Sequence, residues 1–287
     1  MKIVIRGRGK SCRMKTVLKN KWMYELWQTE WQDLSLEKIC VLTHKKKSEV
    51  VSADFFQEFY RMLGANGWKF QINYYKDKNR YARWLEKTVQ SVTAEKKMIN
   101  PKCLSVGCGV GLIEAYMIKK GYDVELQECQ SASFSYLKSK DIKVAKYWVS
   151  QDLSELPDAS YDVVWTNLVL YCMKDEEIKG IVKNVSRILK KGGIFIIVDT
   201  APQLGDFLKE KLAGKKYHRG VFWGYIRSVL EYERLVKEFF RTKRRVWLLK
   251  SRNGSYKECR PRTILGFNVR HYKNARVELA GIICEKK

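Results

Sequence analysis

The sequence predicts an α/β protein whose core is an open, doubly wound and mainly parallel sheet. From residue 102 onward, short apolar runs alternate with amphipathic helical patterns, as in successive strand–helix units. Residues 194–199 are apolar almost throughout, which is typical of a strand with both faces buried. A glycine at residue 121 ends the first helical pattern, and glycine just after a helix is a common stop signal.

The central elements follow in chain order. The predicted strands are 103–107, 123–128, 143–149, 161–166 and 194–199. The predicted helices between them are 112–120, 132–139 and 175–189. The last of these helices has a single apolar stripe, as expected of a helix that packs on a sheet: Ile178, Ile181, Val182, Val185, Ile188 and Leu189.

The last third of the chain breaks this alternation. A helix is predicted over residues 222–240, and three strand-like runs follow it at 246–250, 263–270 and 276–284. Successive strands without helices between them pair antiparallel, so we expect these runs at the edge of the sheet.

Residues 1–98 form a separate region, rich in Trp, Tyr and Lys. A strand at its start and helices over 52–63 and 79–92 predict a mostly helical extension, interpreted as a cap over the substrate. Its tryptophans are assigned to the core of that cap in preference to base stacking: Trp22, Trp27, Trp31 and Trp84. The sheet domain then spans 99–287, with a substrate-side insertion near 200–240.

Composition excludes several classes of protein. Hydrophobic residues make up 45% of the 287-residue chain, so wholesale disorder is excluded. No apolar run is long enough for a transmembrane helix, and the first residues lack the apolar core of a secretory signal. The eight cysteines are scattered without a C-x-x-C pair, so we expect reduced thiols in a cytoplasmic protein and no metal site.

The chain is strongly basic, with 56 Lys+Arg against 31 Asp+Glu and a net charge of +25. The excess lies mostly at the two ends, in residues 1–50 and 241–287. Such a charge attracts anionic partners, although a generally lysine-rich composition explains it equally simply. We expect an anionic acceptor, with nucleic acid as a possible partner.

The sharpest motif is Gly107-Cys108-Gly109-Val110-Gly111, between a predicted strand and a predicted helix. Glycines at such a turn let the backbone approach a ligand and direct helix N–H groups towards an anionic group. The dinucleotide pattern G-x-G-x-x-G fails because Leu112 replaces its third glycine. A phosphate-binding G-K-[ST] sequence is also missing.

Two acidic residues follow at the ends of the next two strands. Glu128 lies 21 residues after Gly107, where a carboxylate can accept both hydroxyl hydrogens of a ribose. Asp152 follows the third strand, where it can accept an adenine amine while Leu153 packs on the ring. Together these features predict an adenosine pocket at a switch point of the sheet.

This ordered set resembles the class I S-adenosylmethionine-dependent methyltransferases. The matching segments are LSVGCGVG (104–111), YDVELQE (122–128), QDLSELPDASYDVVWTNLVL (151–170) and ILKKGGIFIIVD (188–199). The resemblance implies a Rossmann-like, seven-stranded fold with S-adenosylmethionine as cofactor. It implies that the following residues line the cofactor site: Gly107, Cys108, Gly109, Gly111, Glu128, Cys129, Asp152, Leu153 and Asn167.

The sequence departs from the family at two positions. Ser105 replaces the acidic residue that usually precedes the first glycine, so the contact to the methionine amine is weakened or supplied from elsewhere. Tyr171 stands where a histidine is common in this subfamily; it lines the pocket or donates a hydrogen bond there.

The resemblance implies in-line methyl transfer, in which the protein mainly aligns the two reacting atoms. In the family, the acceptor is held by the N-terminal region and the segment after the fifth strand. His218 is therefore the candidate general base, although a solvated loop histidine is the simpler interpretation. Together with Tyr171 it completes the candidate catalytic set.

Three functions stay open. The preferred one is O-methylation of a small molecule or a glycan, for instance a phosphorylated sugar. The second is RNA methylation, with the basic terminal regions contacting phosphates. The third is a binding subunit without activity, to which the Ser105 departure points. The motifs for adenine N-methylation and cytosine C5-methylation, and the metal-and-base set of catechol enzymes, are not evident in the sequence.

Overall fold

A computed structural model describes most of the chain from residue 72 onward. The described residues are 72–139, 141–201, 220–221, 224–225, 227–250, 256–261, 263–264, 267–268 and 277–287. Several predictions fall outside these residues: the N-terminal strand, the helix at 52–63, and the tryptophans Trp22, Trp27 and Trp31. His218 and about half of the insertion at 200–240 also lie outside them.

Five parallel strands form the centre of the molecule. They are β1 (Lys102–Val106), β2 (Asp123–Glu128), β3 (Tyr147–Val149), β4 (Tyr161–Asn167) and β5 (Leu189–Thr200). β1 pairs with β2 on one side and with β4 on the other, and β3 and β5 extend the sheet outward. The predicted doubly wound, mainly parallel sheet is thus confirmed, with a switch point between β1 and β4.

Between β5 and the C-terminal strand, four short strands stay outside the main sheet. The short ones are β6 (Gly220–Val221), β7 (Gly224–Tyr225), β10 (Thr263–Ile264) and β11 (Phe267–Asn268). They form two separate two-stranded ladders, β6–β7 and β10–β11. The predicted strand at 263–270 is therefore wrong as a member of the main sheet.

Three further strands complete the main sheet in antiparallel pairing: β8 (Phe240–Lys250), β9 (Tyr256–Glu258) and β12 (Val277–Lys286). The strand order is β3-β2-β1-β4-β5-β12-β8-β9. The described sheet therefore has eight strands, not the seven that we expected. The additional strand is β9, whose short and polar sequence carries no alternating pattern and which is defined by its pairing with the end of β8.

Five α-helices are described: α1 (Ile72–Glu95), α2 (Leu112–Lys119), α3 (Ser135–Ser139), α4 (Asp175–Ile188) and α5 (Val229–Val236). Acidic residues fill the first turn of α4, where they complement the helix dipole. Ser228 caps α5, since its hydroxyl accepts from the Glu231 N–H at 3.2 Å. α5 is much shorter than the helix predicted at 222–240, since β7 occupies Gly224–Tyr225 before it and β8 begins at Phe240 after it.

The helices cover both faces of the sheet. α1 and α2 pack with one apolar cluster, and α4 and α5 pack with the other. Trp84 of α1 is buried, and its indole N–H donates to Glu258 at 3.0 Å. Trp84 therefore packs in the core of the sheet domain, in the same cluster as Cys103 of β1, and not in the core of a separate cap as predicted. The domain boundary at residue 98 stays a prediction. In the described part of the chain, no helix is long and apolar enough to span a membrane.

Candidate functional site

The glycine turn between β1 and α2 is held in a conformation that ordinary side chains disfavour. Gly107, Gly109 and Gly111 all have positive φ, at 67°, 59° and 74°, which is the region that glycine alone adopts readily. A Cβ on Gly107 would lie 2.6 Å from a methyl group of Val169, and one on Gly111 would lie 2.3 Å from Leu137. The turn therefore leaves no room for larger residues at these two positions.

The neighbouring strand β2 fixes this turn in place. The N–H of Gly107 donates to the Gln127 side-chain oxygen at 3.0 Å. The N–H of Cys108 donates to the main-chain oxygen of the same residue at 3.0 Å. Cys108 is half-buried. The role of Gln127 was not predicted from the sequence, although this residue immediately precedes the predicted ribose acid Glu128.

Glu128 ends β2 beside the turn, as the sequence predicted. Its side chain is 6% exposed, and its Oε2 accepts from the Cys129 N–H at 2.6 Å. The thiol of Cys129 lies 3.2 Å from the same oxygen. A nearly buried carboxylate thus lies at the carboxyl edge of the sheet, next to the glycine turn.

The segment after β3 is hydrogen-bonded to the carboxyl end of β2. The Ser150 N–H donates to the Glu128 main-chain oxygen at 3.1 Å, and the Gln127 amide donates to the Ser150 oxygen. Ser150 in turn accepts from the Leu153 N–H at 2.9 Å. The two predicted acidic positions, Glu128 and Asp152, are therefore on neighbouring segments of one edge.

Asp152 and Leu153 differ in their accessibility. Asp152 is exposed, and the Ser154 N–H, at 3.0 Å, is the main reason why its pKa is lowered. Leu153 is fully buried in the cluster that contains α4. Its side chain would have to move before it touched a ligand ring, so that contact stays a prediction.

The end of β4 holds buried polar atoms that need partners. Among the described residues, Thr166 Oγ1 and Asn167 Oδ1 have no hydrogen-bond partner. Leu168 follows with φ of 57°, an unusual value for a branched side chain. Since buried polar atoms are normally satisfied, the Asn167 oxygen is suited to accept a hydrogen bond from a bound ligand.

α2 places the carboxylate of Glu114 beside Ser105 of β1, where the family usually has an acidic residue. Glu114 is 2% exposed, and its Oε1 accepts from the Ser105 hydroxyl at 2.6 Å. The Trp165 indole N–H lies 3.3 Å from the same oxygen. The sequence analysis missed Glu114, although a lone acidic residue in an otherwise apolar helix was a signal that it is buried for a reason.

At the end of β5, Asp199 is 1% exposed. It accepts from the Tyr232 hydroxyl at 2.8 Å, and its Oδ1 has no hydrogen-bond partner in the part of the chain that is described. Burial raises the pKa of Asp199 to about 7, while Tyr232 and Arg227 oppose that rise. Asp199 lies beneath the loop that follows β4, beside the main chain of Val169 and Tyr171.

Arg227 also holds the loop that follows β4, through hydrogen bonds to its main chain. Its guanidinium donates to the main-chain oxygens of Leu170 at 3.0 Å and Met173 at 2.6 Å, and to Asp175 at 2.9 Å. Tyr171 lies between these two anchored residues and is 8% exposed. The loop that carries the candidate residue Tyr171 is therefore held rigidly by a side chain far along the sequence.

In the portions of the chain that the structure describes, no group of three or more His, Cys, Asp or Glu residues has the arrangement to hold a metal ion. The candidate catalytic residue His218 lies outside these portions. The site is thus built from a glycine turn, buried carboxylates and an amide at adjacent strand ends.

Comparison with known proteins agrees with this geometry. Residues 104–197 match the family described as a methyltransferase domain. The chain is also 30% identical, over 119 residues, to an uncharacterized methyltransferase of Synechocystis. That alignment covers 40% of this chain and 55% of the relative, so the chain spans about half the length of the curated relative that it matches.

A solved structure with bound S-adenosylhomocysteine shares the fold at low identity. Magnesium protoporphyrin IX methyltransferase from Synechocystis, with bound S-adenosylhomocysteine, is 12% identical, with a TM-score of 0.50. The match covers 82% of this chain and 99% of that one. The PH0226 protein from Pyrococcus horikoshii is 18% identical over 72% of this chain and 91% of its own, with a TM-score of 0.47.

Proposed function

We propose that this chain, whose residues 104–197 match the methyltransferase-domain family, is a class I methyltransferase that transfers a methyl group from S-adenosylmethionine to a small molecule or glycan. One observation carries the proposal. Three glycines of positive φ form a turn that is hydrogen-bonded to β2, and the buried Glu128 ends that same strand. Such an edge, at a switch point of a doubly wound sheet, is where ligands bind in this architecture.

The residues present fit the cofactor. The N–H groups at the start of α2 suit its carboxylate, and Glu128 suits its ribose hydroxyls. Asp152, exposed beside this edge, is assigned to the adenine amine. Asn167, with an oxygen that has no hydrogen-bond partner within the described residues, is assigned to a donor on the ligand. Cys108 and Cys129 flank the turn and the ribose acid, as the resemblance implies.

When bound, the cofactor supplies a methyl group that its sulfonium already activates. The protein therefore contributes mainly alignment. Arg227 holds the loop of residues 168–173 through two main-chain oxygens, and Asp199 supports the same loop from beneath. In this proposal, Tyr171 lines the acceptor side and His218 acts as the general base. Glu128 and Asp152 fix the adenosine part.

The paired cations of β8 support a small acceptor over RNA. The exposed cations of β8 are largely paired with acidic side chains. These pairs are Arg241 and Lys243 with Glu285, Lys243 also with Glu95, Arg244 with Glu258, and Arg245 with Glu233. An RNA-binding strand would leave such cations available for phosphates. The cations of β8 instead form ion pairs with acidic side chains of the same chain.

A labelling experiment tests the acceptor class. The full chain is incubated with a cell extract and S-adenosylmethionine that carries a labelled methyl group. We expect the label in the low-mass fraction, unchanged by ribonuclease, because the acceptor is small. Label in a high-mass, ribonuclease-sensitive fraction would instead support the RNA function. A complete lack of label, with cofactor binding intact, would support the inactive binding subunit.

Glu128 provides the test of the cofactor pocket. We expect Glu128→Gln to weaken binding of S-adenosylhomocysteine about tenfold, since hydrogen bonds to a charged group are worth roughly 1.5–3 kcal/mol. Calorimetric titration measures the change. The matched control is Glu155→Gln, because Glu155 is an exposed carboxylate that accepts from Ser150 on the same edge. Equal affinity of Glu128→Gln and wild type would rule out the ribose assignment.

A further inference from the structure

A carboxyl group with one unused oxygen lies buried beneath the loop of residues 168–173. Asp199, near the end of β5, is 1% exposed. Its Oδ2 accepts from the Tyr232 hydroxyl at 2.8 Å, whereas its Oδ1 has no hydrogen-bond partner among the residues that the structure describes. Burial disfavours the ionised form of such a group. Oδ1 is therefore the atom at which this carboxylate can take up a proton.

Burial raises the pKa of Asp199 to about 7, and two groups on the side of α5 oppose that rise. The hydroxyl of Tyr232 donates to the carboxylate, and the positive charge of Arg227 acts in the same direction. Arg227 also contacts Asp175 at 2.9 Å, so its charge is shared between two carboxyl groups. The protonation state of Asp199 therefore changes close to neutral pH.

The elements on the other sides of Asp199 contribute a tyrosine and an apolar residue. The pKa of the buried Tyr81 of α1 is raised first by burial and then by the charges of Glu114 and Asp199. Tyr81 thus stays a neutral hydroxyl within electrostatic range of Asp199. Ala280 of β12 pairs with Asp199 in the sheet and brings no charge to it.

The loop of residues 168–173 connects Asp199 to the glycine turn. The main-chain N–H groups of Val169 and Tyr171 face the carboxylate and oppose the effect of burial on its pKa, because an ionised acceptor forms the stronger hydrogen bonds. The methyl groups of Val169 pack against Gly107, where an added Cβ would lie 2.6 Å from one of them. A proton on Asp199 therefore weakens the hold on Val169, whose displacement alters the turn.

We infer that Asp199 is a positioning residue: as a carboxylate it holds the loop of residues 168–173 against the glycine turn, and a proton on its Oδ1 loosens the loop and weakens cofactor binding. The change is a single proton taken up from water. The inference rests on the proposed function and deepens it, because it names the group that makes the same cofactor site sensitive to pH.

Calorimetric titration of the full chain with S-adenosylhomocysteine at two pH values tests this role without an acceptor. At about pH 6, one unit below the pKa of about 7, only about a tenth of the chains carry an ionised Asp199. Because the apparent Kd rises as the binding-competent fraction falls, we expect wild type to bind about tenfold more weakly at about pH 6 than at about pH 8. Asp199→Asn cannot change its charge, so its affinity should be the same at both pH values.

Tyr232→Phe gives a second readout, because it leaves the carboxyl group in place. It removes a donor that lowers the pKa of Asp199, so the pH at which binding weakens should move upward. The matched control is Tyr161→Phe. Tyr161 is also buried and donates its hydroxyl to a carboxylate, that of Glu125, at 2.6 Å, but it lies at the start of β4. The control should keep the wild-type midpoint, and an unmoved midpoint in Tyr232→Phe would contradict the inference.

The outcomes separate this inference from the proposed function. If wild type binds S-adenosylhomocysteine at no pH, the proposed function fails and this inference fails with it. If wild type binds equally at both pH values, or if Asp199→Asn keeps the pH dependence of wild type, only the role of Asp199 is overturned. If Asp199→Asn does not fold, the comparison of Tyr232→Phe with Tyr161→Phe decides alone.

Discussion

Gly107→Ala is expected to reduce the affinity for S-adenosylhomocysteine at least tenfold. Gly107 has φ of 67°, and a non-glycine residue in this region costs roughly 1–2 kcal/mol. The added Cβ would also lie 2.6 Å from Val169 Cγ2, so the turn has to move. Its movement breaks the hydrogen bond from Gly107 to Gln127 and displaces the N–H groups that face the ligand. Calorimetric titration measures the loss.

Gly180→Ala is the matched control for this prediction. Gly180 lies in α4, is exposed, and a Cβ there would meet nothing within 4 Å. Alanine in a helix interior is more stable than glycine by roughly 0.5–1 kcal/mol, so this variant should be slightly more stable and bind normally. Thermal unfolding of both variants separates a lost fold from a lost site. Normal binding by a folded Gly107→Ala would contradict the importance of the turn.

Arg227→Ala is expected to lower the free energy of unfolding by about 3 kcal/mol, the lower end of the effect of breaking a buried ion pair. The guanidinium is fully buried, and its partner Asp175 is 23% exposed. When the guanidinium is removed, the main-chain oxygens of Leu170 and Met173 lose their donors in the interior. This loss adds a desolvation penalty. Urea unfolding followed by circular dichroism measures the difference.

Arg245→Ala shows what an exposed pair contributes by comparison. Arg245 contacts Glu233 at 2.8 Å, but its side chain is 54% exposed. Exposed ion pairs contribute only about 0–1 kcal/mol, so this variant should unfold almost like wild type. If Arg227→Ala and Arg245→Ala had equal effects, the buried network would not be what holds the loop of residues 168–173.

Much of the fold could be predicted, because buried parallel strands have continuous apolar sequences. The strand at 194–199 was found in this way, but its true start at Leu189 was missed. Gly192 and Gly193 resemble a helix stop signal in the sequence, and Gly192 has φ of 71°. In the structure they lie within β5, where its pairing with β4 is irregular. Pairing between distant segments, which no local pattern records, decides such boundaries.

Some residues of the candidate site could likewise be predicted from the sequence, and others could not. The glycine turn and Glu128 could be predicted, since each is set by local sequence next to a strand end. Glu114 and Arg227 could not, because their roles come from contacts across the fold. Arg227 reaches an oxygen 57 residues away in the chain, and Glu114 reaches a tryptophan 51 residues away. Long-range packing is invisible to periodicity.

The chain carries a net charge of +25, yet buried acidic side chains lie at the candidate site. Three buried carboxylates lie at the carboxyl edge of the sheet, on Glu114, Glu128 and Asp199. A site of this kind suits a cofactor with ammonium and sulfonium groups, whereas the basic excess lies elsewhere in the sequence. Under the proposed function, the overall charge bears on the acceptor and not on the cofactor.

The central claim is that the edge formed by the glycine turn and Glu128 binds S-adenosylmethionine. Calorimetric titration of the full chain with S-adenosylhomocysteine tests it most directly. We expect saturable binding at one site per chain, together with stabilisation of about 2.7 kcal/mol at a hundredfold excess over Kd. A folded chain that shows neither heat of binding nor a shift in Tm with this ligand would contradict it.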